Sequence, residues 1–69
     1  MLNANQKHLL RLVREGMKEG DDGWAKVSST VWPLLDSIPV DLIERKSNLV
    51  GGGRCCLTSR GEAVVDYLL

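Results

Sequence analysis

The sequence predicts a small α+β domain: helices packed on a two- or three-stranded antiparallel hairpin sheet, with a further helix immediately after the hairpin. Three observations predict it. Gly51, Gly52 and Gly53 stand in a row and reach positive φ at no steric cost, which suits a tightly turned hairpin tip between arms at Leu42 to Lys46 and Arg54 to Leu57. Thr58 or Ser59 then offers a helix cap, and Ser59 to Glu62 has the Ser-x-x-Glu spacing of a capping box ahead of a helix over Ala63 to Leu69. At the other end, Leu2, Leu9, Leu12, Val13, Gly16 and Met17 fall on one side of a helix at 100° per residue, with Leu10 at its edge.

The first helix is capped by Asn3 or Asn5 and continues to about Lys18, where Gly16 and Gly20 offer stops. Its polar side carries Lys7, Arg11, Arg14 and Lys18 as a narrow basic stripe, either a solvated face or a contact for phosphate or an acidic partner. Glu19 to Gly23 is a polar break, and Trp24 to Val27 suits a short strand or a single helical turn. Ser28, Ser29 or Thr30 caps a second helix that reaches Ile38. Pro33 falls in its first turn, where the missing N–H costs little, and Pro39 ends it by driving Ile38 out of the α region. Val31, Leu34, Leu35 and Ile38 form its apolar face. Trp24 and Trp32 are read as core or hinge packing in preference to ligand platforms. In the first arm Leu42 and Glu44 face one way and Ile43 and Arg45 the other; a short helix over Pro39 to Arg45 is the alternative.

With 69 residues the chain has room for one domain, 1–69, and buries only roughly 60% of its unfolded surface. A hydrophobic fraction of 43% with 26% charged residues is that of a folded domain and not of a disordered chain. No apolar run approaches the roughly 20 residues that span a bilayer, and there is no secretory leader pattern, so the expectation is a cytoplasmic protein without a membrane partner. Cys55 and Cys56 are adjacent and point to opposite faces of a strand, so they read as reduced thiols, one in the core and one exposed. Net charge is zero, nine basic against nine acidic residues, unlike a dedicated nucleic-acid binder. The order is uneven: basic residues fill the first helix and the surroundings of the hairpin (Arg45, Lys46, Arg54, Arg60), whereas the middle carries Asp21, Asp22, Asp36, Asp41 and Glu44 against Lys26. An electrically polarised molecule follows.

The chain does not read as an enzyme. His8 is the only histidine and lies on the polar flank of the first helix, with no nucleophile or orienting partner at a recognised spacing. Asp21 and Asp22 suit a turn better than a metal loop, and the glycine run lacks the lysine and hydroxyl residue of a phosphate-cradling loop. No catalytic, cofactor or metal residue is assigned. Binding is the class that remains.

Leu57-Thr58-Ser59-Arg60-Gly61-Glu62-Ala63-Val64-Val65 resembles the strand-to-helix junction after the wing of many bacterial winged helix-turn-helix regulators, where Leu-Thr-x-x-Gly recurs. The likeness is close from Leu42 onward and loose before it. It implies a winged-helix DNA-binding domain of a bacterium or phage, acting in transcription regulation. The helix within 28–37 would then enter the major groove of duplex DNA, and the wing within 46–54 would follow the backbone or minor groove. On that basis the contacts are Lys26, Ser28, Ser29 and Thr30 at the start of the groove helix, and Arg45, Lys46 and Arg54 on the wing. Two departures stand out: the stretch from Met17 to Pro39 leaves the first helix of a helix-turn-helix pair very short or missing, and the groove helix is poor in Arg, Asn and Gln. The alternative is a protein-interaction module on the same scaffold, using Trp24, Trp32 or a homodimer seam at Tyr67, Leu68 and Leu69.

Overall fold

The computed structural model describes residues 2–48 and 51–69 apart from Leu69, with only the backbone of Leu68. The protein is a small α+β domain: helix α1 (Ala4–Glu19), strand β1 (Ala25–Val27), a 3-10 helix (Trp32–Ser37), strands β2 (Ile43–Ser47) and β3 (Gly53–Leu57), and helix α2 (Ser59–Leu68). The sheet is open and antiparallel, in the order β1-β3-β2. The strand reading of 24–27 is the one the structure adopts. None of the helices among the described residues is long and apolar enough to cross a membrane.

Helix α1 starts where its sequence says it should. The Asn3 side chain accepts from the Gln6 N–H at 2.8 Å, and the Gln6 side chain accepts from the Asn3 N–H at 2.7 Å, so two otherwise orphaned donors are satisfied reciprocally. Its apolar stripe puts Leu9, Leu10 and Val13 into a core completed by Ala25, Leu35, Ile38, Leu42, Ile43, Cys55 and Leu57. Met17 sits at the margin and its Sδ accepts from the Leu57 N–H at 3.2 Å. The core thus lies between the helices and one face of the sheet, while the other sheet face is open to solvent.

The expected second helix, within 28–37, forms differently. Residues 28–31 make a turn, held by the Trp32 N–H donating to the Ser28 carbonyl at 2.9 Å, and only Trp32–Ser37 is helical, in the tighter 3-10 form. Six residues are too few for a self-supporting α-helix. Pro33 sits in the first turn, where its missing N–H costs little, and Pro39 holds Ile38 extended at ψ 133°, which closes the segment off after six residues.

The junction into α2 explains the Leu-Thr-x-x-Gly run. Thr58 caps the helix: its Oγ1 accepts from the Gly61 N–H at 3.1 Å and donates to the Asp41 carbonyl at 2.6 Å. The Thr58 N–H donates to the Leu42 carbonyl at 3.0 Å. A side chain at Gly61 would drive its Cβ into that same Leu42 carbonyl, so the close approach of α2 to the segment entering β2 requires glycine. The helix therefore begins at Ser59, several residues before the expected Ala63, and Thr58 is the cap.

Candidate nucleic-acid interface

The antiparallel register decides which of the expected contact residues meet. Lys26 on β1 is the partner of Arg54 on β3, and Arg54 is the partner of Lys46 on β2. With strands about 4.8 Å apart, these three side chains form one lateral row on the open face of the sheet. All three are exposed. Two residues along each strand toward the hairpin tip lie Ser28, Gly52 and Asn48; the Gly52 carbonyl accepts from the Asn48 N–H at 2.8 Å, and the Asn48 Oδ1 accepts from the Gly52 N–H at 3.2 Å. Two residues the other way lie Trp24, Cys56 and Glu44.

Lys46 reaches back along this face, placing its Nζ 4.8 Å from the centre of the Trp24 indole, within the range of a cation–π attraction. Neither Lys26 nor Lys46 has a carboxylate within ion-pair distance among the described residues. Arg54 does: its Nη1 is 2.7 Å from Asp22 Oδ2, with both side chains about half exposed (54% and 48%). Asp22 also holds its own turn, because Oδ1 accepts from the Trp24 N–H at 3.0 Å. Beside Trp24 a cleft of about 470 Å³ opens at the C-terminal end of α1, lined by Glu19, Asp21 and Asp22 together with Lys26 and Arg54.

Arg45 is not part of this surface. It is one residue from Lys46 and so points to the opposite face, where its guanidinium lies 4.5 Å from the centre of the Trp32 ring and 2.7 Å from Asp36. It ties β2 to the 3-10 helix. Ser29 and Thr30 are exposed in the turn after β1, beyond the end of the lateral row, and Ser28 Oγ accepts weakly from the Val31 N–H at 3.4 Å. These hydroxyls lie in a turn that leads into a 3-10 helix of six residues, not at the start of a groove-filling helix. The side chains that follow them, Trp32, Pro33, Leu34 and Leu35, offer little to hydrogen-bond a base edge.

The glycine tip does not project freely. Gly51 has φ +86° and a Cβ there would touch the Ser29 side chain at 3.6 Å, while Gly52 is buried against Val27 and Ser28. The tip is folded onto the turn after β1; Leu49 and Val50 lie outside the described residues.

The polarisation implied by the linear order is largely cancelled in space. Arg45 pairs with Asp36, Arg54 with Asp22, Arg60 with Asp41 at 3.1 Å, and Arg14 with Asp66 on α2 at 2.6 Å. The basic stripe of α1 thereby loses Arg14 to a packing role. The cysteines divide as their alternation predicts: Cys55 is fully buried and Cys56 half-buried, both as free thiols. Burial pushes the Cys55 thiol up to about 11, with the neighbouring Cys56 adding to the effect. Cys56 is also raised, by burial and then by Glu44 and Glu62.

Sequence reasoning grouped Arg45 with Lys46 by charge, although period-two alternation already separated them. It also assigned Trp24 to packing or to a protein-contact patch, and Asp22 to a turn, and so placed neither beside the cationic row. The spacing of Trp24 two residues before Lys26 was the available signal for their shared face. No family model matches the chain, and neither a curated protein nor a solved structure matches it.

Proposed function

We propose that this protein is a nucleic-acid-binding module, DNA by its resemblance to winged-helix regulators, that contacts its ligand through the open face of the hairpin sheet and not through the 28–37 segment. The observation that carries this reading is the exposed row Lys26, Arg54 and Lys46, aligned by strand register. Phosphate contacts of this kind fix position and supply affinity without reading sequence. The short 3-10 helix supports the same division, since it has neither the length nor the side chains for a major-groove element.

The test is a titration of isotope-labelled protein with mixed-sequence DNA at low and then near-physiological salt. Salt-sensitive amide shifts concentrated at residues 24–28, 44–48 and 52–56 are expected. Shifts along Lys7 to Lys18 would move the interface to α1, and no shifts at low salt would end the nucleic-acid reading.

A second reading has one observation in its favour. An apolar groove of about 280 Å³ runs between α1 and β1, lined by Leu9, Leu12, Val13, Val31 and Leu35, and Leu12 is 49% exposed. A protein partner would use that groove. Leu12→Asp would then abolish association and leave any DNA affinity unchanged. Of the expected dimer seam, Tyr67 is exposed, while Leu69 and the Leu68 side chain lie outside the described residues.

A further inference from the structure

We propose that Trp24 and the cleft beside it form a base-stacking subsite for single-stranded nucleic acid, with Lys26 and Lys46 holding the adjoining phosphates. This rests on the reading that the sheet face binds nucleic acid, and it names the form of the ligand.

Four features on that face point to an unpaired strand. The surface is an open sheet, and the segment expected to enter a duplex groove is a 3-10 helix of six residues. Trp24 immediately precedes β1, two residues before Lys26, and the Lys46 ammonium reaches its ring, so its indole borders the same surface as the cationic row. The Lys46 ammonium over its ring shows that the indole presents a π surface, covered by an exposed side chain; a phosphate would draw the ammonium away and leave the ring to a base. Finally, the cleft of about 470 Å³ at Trp24 gives a splayed base a place to lie, whereas a duplex keeps its bases stacked inside the helix.

The chemistry of the walls agrees with this orientation. Asp22 is taken up by Arg54 and the Trp24 N–H, so the carboxylates of Glu19 and Asp21 are left to accept hydrogen bonds from base amino or imino groups, and the phosphates fall to Lys26 and Lys46, which have no carboxylate partner among the described residues. Stacking on an aromatic side chain is sequence-tolerant, because every base has a π face.

The experiment compares a fluorescein-labelled oligothymidylate of about 12 nucleotides with a duplex of equal phosphate number at low salt. It is done in the Trp32→Phe background, so that Trp24 is the only tryptophan. The single strand is expected to bind more tightly and to quench Trp24 emission. Trp24→Leu is expected to weaken binding about 5- to 150-fold, the range for loss of one stacked base, and Trp24→Phe to recover most of it. An oligouridylate of the same length separates the sources: tighter binding than oligothymidylate assigns RNA, weaker binding assigns DNA, and either upholds an unpaired strand.

Equal or tighter duplex binding, or binding without quenching of Trp24, overturns the subsite while leaving the nucleic-acid function intact. Absence of binding to every probe overturns both. Should Trp24→Leu fail to fold, as read by circular dichroism, the quenching and the duplex comparison still decide.

Discussion

Neutralising Asp22 is expected to strengthen binding. Asp22 holds Arg54 at 2.7 Å and so occupies, intramolecularly, the position that a phosphate would take. An ion pair with both side chains about half exposed is worth about 0–1 kcal/mol. Asp22→Asn removes that competitor, and the gain is bounded by the same figure, about two- to fivefold in affinity at low salt. The turn should survive, because the Asn carbonyl oxygen still accepts from the Trp24 N–H that Asp22 Oδ1 now engages. With Arg54 released, the dependence of log K on log salt should steepen by about 0.7 for a single strand, one added phosphate contact. The assay is fluorescence anisotropy of a labelled oligonucleotide titrated at several salt concentrations. The control is Asp21→Asn, which makes the same change in net charge at a neighbour that forms no ion pair with Arg54 among the described residues. Equal gains from the two variants would refute the reasoning, since only the general field would then be acting.

Arg45→Ala is expected to leave nucleic-acid affinity unchanged and to cost about 1–2 kcal/mol of stability in chemical denaturation, from its lost contacts with Trp32 and Asp36; a loss of affinity at unchanged stability would return Arg45 to the interface. Gly61→Ala should destabilise by about 1–3 kcal/mol, because its Cβ meets the Leu42 backbone, and a melting temperature within a degree or two of the parent would contradict that packing. For Cys55, the folded thiol lies at about 11 against an ordinary 9.0, so the folded state holds its proton longer than the unfolded state. Its contribution is complete below about pH 9 and is lost as pH rises toward 11, at most about 2–3 kcal/mol. Denaturation curves across that window should fall more steeply for the parent than for Cys55→Ala, and parallel curves would contradict the shift.

Local signals were legible in the sequence. Asn3 with Gln6 marks the start of α1, and the Thr58 to Gly61 run marks a junction whose hydrogen bonds now account for it. The glycine run and the alternation of 43–46 fix the hairpin and its faces. What local signals cannot hold is pairing at a distance. Nothing near Ala25 to Val27 indicates that β3, and not β2, is its neighbour. Likewise the partners Asp22 and Arg54, Asp36 and Arg45, and Arg14 and Asp66 are set by the fold, so a charge map drawn along the chain overstated the polarity of the surface. In the 28–37 segment capping hydroxyls and an apolar face suit both helix types, and with Pro39 holding Ile38 extended the helical stretch is only six residues, a length typical of the 3-10 form.

The middle position of β3 bears on how the protein comes into being. Among the described residues β1 and β2 each pair with β3 and with no other strand, and β3 follows both of them along the chain. A nascent polypeptide that has emerged as far as Asn48 has both outer strands and no sheet. Its first helix, 16 residues long, is of marginal length to persist alone in water. Leu9, Leu10 and Val13 therefore stay uncovered until Gly53 to Leu57 arrives between the waiting strands. A chain that stops short of Gly53 is therefore expected to stay unfolded and open to proteases.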